Sequence, residues 1–168
     1  MLKLLGAIMI VGSCTLIGLS TNRRLYNRVR ILQELLIVLQ EIKAEIVFRS
    51  TPVTDIIQHF AEKENYFTSN YFQSIYSNLE IFGLQTAAEQ SRENLLNLPL
   101  TESDLVALER IFDVIGRYDV FTQSEALTRT ITSMELQLQD AKLQYGQKGK
   151  LYQAVGLSFG IALALIAS

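Results

Sequence analysis

Between Leu4 and Asn22 the chain runs for 19 consecutive residues without a charged side chain, and from Leu151 to Ser168 it does so for 18 more. The remaining 131 residues hold all 32 Asp, Glu, Lys and Arg side chains. At a rise of about 1.5 Å per residue, either stretch would extend roughly 27–29 Å as a helix, close to the hydrocarbon thickness of a bilayer. A core helix of that length needs a polar face, and neither stretch has one. Both are expected to be transmembrane helices, covering residues 1–22 and 151–168, with residues 23–150 between them as one domain. The second is the cleaner of the two, because Gln153 and Ser158 are its only clearly polar side chains before Ser168.

The flanks predict orientation. Arg23, Arg24, Arg28 and Arg30 follow the first stretch, and Lys142, Lys148 and Lys150 precede the second. Seven basic side chains on the inner segment, against Lys3 on the other side, place residues 23–150 in the cytoplasm and both chain ends across the membrane. A lipoprotein signal around Val11-Gly12-Ser13-Cys14 is the competing reading of the N-terminus. Against it, the chain stays apolar through Leu19, and the Arg23–Arg30 cluster opposes export. Cys14 is then a small apolar residue of a membrane helix.

Residues 23–150 predict an all-α domain, a bundle of about six helices. Leu25, Val29, Leu32, Leu36, Leu39, Ile42 and Ile46 recur at steps of three and four, one face of a helix. Ser50-Thr51-Pro52 is expected to end that helix and start the next, with hydroxyl caps before a proline in the first turn. The second helix is expected to run to about Glu64 and the third from about Phe67 to Phe82, closed by Gly83. A fourth should cover Leu84–Leu98 and break at Pro99, and Thr101-Glu102-Ser103-Asp104 should cap a fifth ending near Gly116. Asp119 or Thr122 opens the sixth, where Leu127, Ile131, Met134, Leu138, Ala141 and Tyr145 form a four-three stripe. The first and last helices are expected to pair through these stripes.

Chemistry is harder to find. A single Cys excludes a disulfide framework or a Cys-rich zinc site within one chain. A net charge of −2 gives no reason to expect nucleic acid. Gly146-Gln147-Lys148-Gly149-Lys150 lacks the strand and hydroxyl of a phosphate loop and suits a basic membrane-interface anchor. Asp55, His59 and Glu62 share one helix face, but three ligands on one short helix rarely close a metal site. Glu102, Asp104 and Asp113 are carboxylates with no pocket behind them, two of them ordinary helix-start residues. No cofactor, metal or catalytic residue is expected, and the chain is expected not to be an enzyme. Phe60, Tyr66, Phe67, Tyr71, Phe72 and Tyr76 are expected chiefly in the core, with some share in docking. Gly156-x-x-x-Gly160 permits close helix contact inside the membrane.

Taken in order, Met1–Ala7, then Leu39-Gln40-Glu41-Ile42-Lys43-Ala44-Glu45-Ile46 with Thr51-Pro52, then Ile115-Gly116-Arg117-Tyr118-Asp119 with Gln123, resemble the stage III sporulation protein AB family of endospore-forming bacteria. The resemblance runs nearly end to end. It implies a membrane component, on the mother-cell side, of a secretion-like channel apparatus linking mother cell and forespore. It also implies a cytoplasmic domain similar to the helical domains of type II secretion platform F proteins, although this chain has one such domain and two spans rather than duplicated domains. The implied partners are other stage III sporulation proteins of the same operon, above all the AA ATPase, with a homo-oligomer as a further option. Arg117, Asp119 and Gln123 match the family's pattern as partner-contact candidates, while a helix stop and cap would account for Gly116, Asp119 and Gln123 structurally. A platform coupled to an ATPase leads the functional readings, ahead of a membrane-bound sensor without a motor partner.

Overall fold

The computed structural model describes the backbone of residues 2–167 and the side chains of residues 19–147. Helix α1 spans Leu2–Ala44 and passes into a π-helical turn, Glu45–Arg49. It is followed by α2 (Val53–Ala61), α3 (Ser69–Phe82), α4 (Leu84–Gln90), the single turn α5 (Glu93–Leu96), α6 (Glu102–Phe112) and α7 (Val120–Ala167). No strand occurs among the described residues. Among residues 19–147, whose side chains are described, no helix is long and apolar enough to cross a membrane. Residues 4–22 lie in α1 and residues 151–167 in α7, and apart from residues 19–22 the charge-free stretches fall outside those with described side chains.

The chain divides into two units, Met1–Val29 with Asp140–Ser168, and Arg30–Gln139. In the first, α1 and α7 pair antiparallel. The Tyr26 and Tyr145 rings lie 5.6 Å apart, and the buried Arg28 guanidinium lies 3.6 Å from the exposed Asp140 carboxylate.

In the second unit α1 is buried over a wider arc than one stripe. Leu32, Leu36, Leu39, Ile42 and Ile46 are buried as expected, and so are Ile31, Leu35 and Val38. The cause is that α1 has neighbours on two sides. Glu34 bonds Thr68 and Glu41 pairs with Lys63 on one side, while Lys43 donates to Thr128 Oγ1 of α7 at 2.8 Å on the other. Burial of each such aliphatic side chain contributes about 1.5–3 kcal/mol, so this helix is the core's axis. Phe60, Tyr71 and Phe72 complete that core, with ring centroids of Phe60 and Phe72 5.4 Å apart and Tyr71 edge-on to Phe112 at 6.1 Å. Phe67 and Tyr76 stay exposed.

The helix ends follow local chemistry, with two departures from expectation. The Thr51 hydroxyl turns back to donate to Glu45 Oε2 at 2.6 Å instead of capping α2. The Glu45 carbonyl also accepts the N–H groups of Ser50 and Thr51, which widens the last turn of the helix. Ser50 closes that turn in the left-handed region (φ 51°). Pro52 therefore sits one residue before α2 rather than within its first turn, and its carbonyl accepts the Asp55 and Ile56 N–H groups.

The second departure is the split of the expected fourth helix into α4 and α5. Ser91 lies at the break, its hydroxyl donating to the Ala87 carbonyl at 2.7 Å and lying 2.9 Å from Ser74 Oγ of α3. Thr101 and Asp104 form the expected capping box on α6, with the Thr101 N–H donating to Asp104 Oδ2 at 2.8 Å. Gly83 and Gly116 adopt φ +75° and +77°, where L side chains are disfavoured.

Candidate functional site: a groove beside the Gly116 turn

Three chain reversals meet around one groove: the start of α2, the Gly83 turn and the Gly116 turn. It encloses about 470 Å³, with Val53, Phe82, Leu84, Phe112 and Ile115 among its apolar walls and Arg117 at its edge. Gly116 is required here. A Cβ on it would meet Val53 Cγ2 at 3.5 Å, and its φ is left-handed.

The structure separates the three partner-contact candidates. Asp119 caps α7, its Oδ1 accepting the Phe121 and Thr122 N–H groups at 3.0 and 3.1 Å and its Oδ2 the Thr122 hydroxyl at 2.6 Å. The Thr122 hydroxyl, and then the Thr122 and Phe121 amides, hold the Asp119 carboxyl below its ordinary value against slight desolvation. Gln123 is buried; it accepts the Gly116 N–H at 3.1 Å and donates to the Tyr118 carbonyl at 2.5 Å. Both side chains are engaged in shaping the turn. Arg117 is different, because its exposed guanidinium makes no hydrogen bond or ion pair with any described residue.

Several apolar side chains that the periodicity did not single out are exposed, and of these Phe82 lines the groove together with Arg117. Ile81 and Phe121 are each 72% exposed, and Phe82 and Tyr118 are also open to solvent. They fall off the core stripes at helix ends, which is the one signal in the sequence that marks them. A cation without a side-chain partner and the exposed Phe82 on one apolar-walled groove make a surface suited to protein contact.

Of the remaining candidates among the described residues, only Asp55 and His59 share a groove, lined also by Glu41 and Glu45. Among the described residues no group of three or more His, Cys, Asp and Glu is placed to hold a metal. His59 is exposed and edge-on to Phe60 at 5.4 Å. Glu102 pairs with Arg92, Asp104 belongs to the α6 capping box, and Asp113 follows α6 on the surface. Gly146–Lys150 is continuous helix within α7 and forms no loop. Gly156 and Gly160 also fall in α7, at positions whose surroundings are outside those described.

Comparison with known proteins gives a consistent answer. The profile of the family described as Stage III sporulation protein AB matches residues 3–167. The Stage III sporulation protein AB of Bacillus subtilis (strain 168) is 28% identical over 169 residues, which covers 99% of this chain and 99% of that protein. A solved structure, Stage III sporulation protein AB (SpoIIIAB), is similar with a TM-score of 0.64 at 25% identity, covering 71% of this chain and 96% of that chain.

Proposed function

The chain belongs to the stage III sporulation protein AB family, and from that premise we propose that it is a membrane-anchored, non-enzymatic platform that couples a cytosolic ATPase to a secretion-like complex between mother cell and forespore. The observation that carries this reading is the groove beside Gly116, where Arg117 has no side-chain partner among the described residues and the exposed Phe82 lines the same apolar-walled groove. A soluble motor needs such a surface on whatever holds it at the membrane, and the AA ATPase of the same operon is the expected occupant.

The anchoring half of the proposal rests on sequence. Residues 4–22 and 151–168 carry no charge, and seven basic side chains flank them on the inner side. Gly156 and Gly160 are the positions where the two spans, or spans of two copies, would approach closely. Reporter fusions after Thr51 and after Ser168 are expected to report inside and outside respectively; the same answer from both removes the topology.

Coupling is tested by co-purification of the detergent-solubilised chain with the AA ATPase. Recovery of the ATPase is expected, falling at least tenfold for Arg117→Glu while circular dichroism stays unchanged. Failure of two well-folded proteins to associate overturns coupling. A second reading, a sensor passing a signal along paired helices, draws on the Tyr26–Tyr145 and Arg28–Asp140 contacts. Cysteines at Tyr26 and Tyr145 should then crosslink differently before and during sporulation, and an unchanged yield counts against it.

A further inference from the structure

A separate groove of about 430 Å³ runs along the outer faces of α6 and α7 and shares no residue with the one beside Gly116. Its two walls have the same construction. Positions 103, 106, 107, 110 and 114 of α6 and the following turn face positions 126, 129, 130, 133 and 137 of α7, so both walls use the offsets 0, 3, 4, 7 and 11. On α7 that spacing is one continuous helix face, about 16 Å long over three turns, and on α6 it is a helix face that runs on into the turn at Val114. On α6 the core is reached chiefly from the far side, through Leu105, Leu108 and Phe112, while on α7 Leu127 and Met134 lie about a quarter-turn from the groove face, whose Thr130 is also buried. Each helix thus shows a second face to the same channel, open to solvent at Arg110 and Arg129. Each wall includes one alanine, Ala107 and Ala126, and small or polar side chains, Ser103, Thr130, Ser133 and Gln137, make up much of the rest.

The charge of the channel is one-sided. Each wall carries one arginine, Arg110 and Arg129, and no carboxylate lines it. Arg110 has no hydrogen bond or ion pair with any described residue. Arg129 lies 3.6 Å from Glu125 in an i,i+4 pair whose members are 74% and 55% exposed, so that contact holds it only weakly. Two cations in a chain of net charge −2 do not suit a nucleic acid backbone. A channel between two neighbouring helices, with small side chains on both walls, suits the ridge of a third helix. We propose that the α6–α7 groove docks an acidic amphipathic helix of a partner protein, its apolar ridge between the walls and its carboxylates on Arg110 and Arg129.

The probe is a labelled, stapled 14-residue helix built from Ala, Leu and Glu, its Leu at i, i+3, i+4 and i+7 and its Glu on the flanks. A matched peptide carries Lys in place of Glu. Fluorescence anisotropy with the full chain in detergent is expected to show binding of the acidic peptide and at least tenfold weaker binding of the basic one. The double variant Arg110→Glu/Arg129→Glu should invert that preference. Ala107→Trp, which fills the channel, should abolish binding with an unchanged melting temperature, whereas Arg117→Glu should leave binding intact, which separates this site from the Gly116 groove. Absence of binding, equal binding of both peptides, or an unaltered preference in the double variant overturns the proposal. A dimer in sedimentation equilibrium that Ala107→Trp dissolves also overturns it, by showing a second copy to be the occupant.

Discussion

Glu34 of α1 closes the start of α3 through Thr68, accepting its backbone N–H at 2.9 Å and its hydroxyl at 2.7 Å on the same carboxylate oxygen, Oε1. The other oxygen takes the Phe67 N–H at 2.9 Å. Thr68 is fully buried, so these donors have no recourse to water. A residue 34 positions away thus holds the chain as it enters α3, taking the N–H groups of the N-cap Thr68 and of Phe67 before it.

Glu34→Ala is therefore expected to cost about 2–3 kcal/mol, the cost of leaving the buried Thr68 N–H and hydroxyl without a partner. Urea unfolding followed at 222 nm measures it. A loss within experimental error would show that α3 does not depend on this contact.

The two glycines Gly116 and Gly146 should respond in opposite directions to alanine. At Gly116 the left-handed φ makes Gly116→Ala cost about 1–2 kcal/mol, since the Val53 methyl at 3.5 Å from the new Cβ is only in ordinary contact. Gly146 lies inside α7 with nothing within 4 Å of a new Cβ, so Gly146→Ala should stabilise by about 0.5–1 kcal/mol. Thermal melts of the pair check both signs at once.

Tyr71 carries a buried hydroxyl with no hydrogen-bond partner. Burial, and then the charge of Glu109, push its ionisation well above the ordinary tyrosine value. Tyr71→Phe removes an unsatisfied polar group and should be neutral or stabilising by up to about 1 kcal/mol. In strong alkali the unfolded chain loses this proton first, so the native protein loses stability as pH rises above the ordinary tyrosine value. The Phe variant should lack that part of the slope. A clear loss of stability at neutral pH would mean that the hydroxyl is satisfied after all.

Acid should loosen the start of α7. Asp119 is held below its ordinary value by the Thr122 hydroxyl and amide, so its contribution is complete above the unfolded value, 3.8. It is lost as pH falls through the lower, folded value. Hydrogen exchange at the Phe121 and Thr122 amides is expected to quicken, relative to intrinsic rates, as pH drops below that point. In Asp119→Asn the protection should be weaker at neutral pH and flat across the same range.

Local signals made much of the bundle legible in the chain itself. Pro99, Gly83, Gly116 and the Thr101–Asp104 box act within a few residues, through fixed φ angles and orphan N–H groups, so the sequence alone determined the helical class and most helix ends. It also determined which stripe of α1 is apolar, since that follows from the 3.6-residue period. The tertiary structure decided what a period cannot carry. Ile31, Leu35 and Val38 are buried because neighbours close on α1 from two sides, and Thr51 turns back to Glu45 because a bond to that carboxylate is open to it once the last turn widens. Asp119 and Gln123 are drawn into their own turn while Arg117 is left outside it. Which side chains end up with a partner depends on the packing of segments distant in sequence, and that geometry exists only once the helices have assembled.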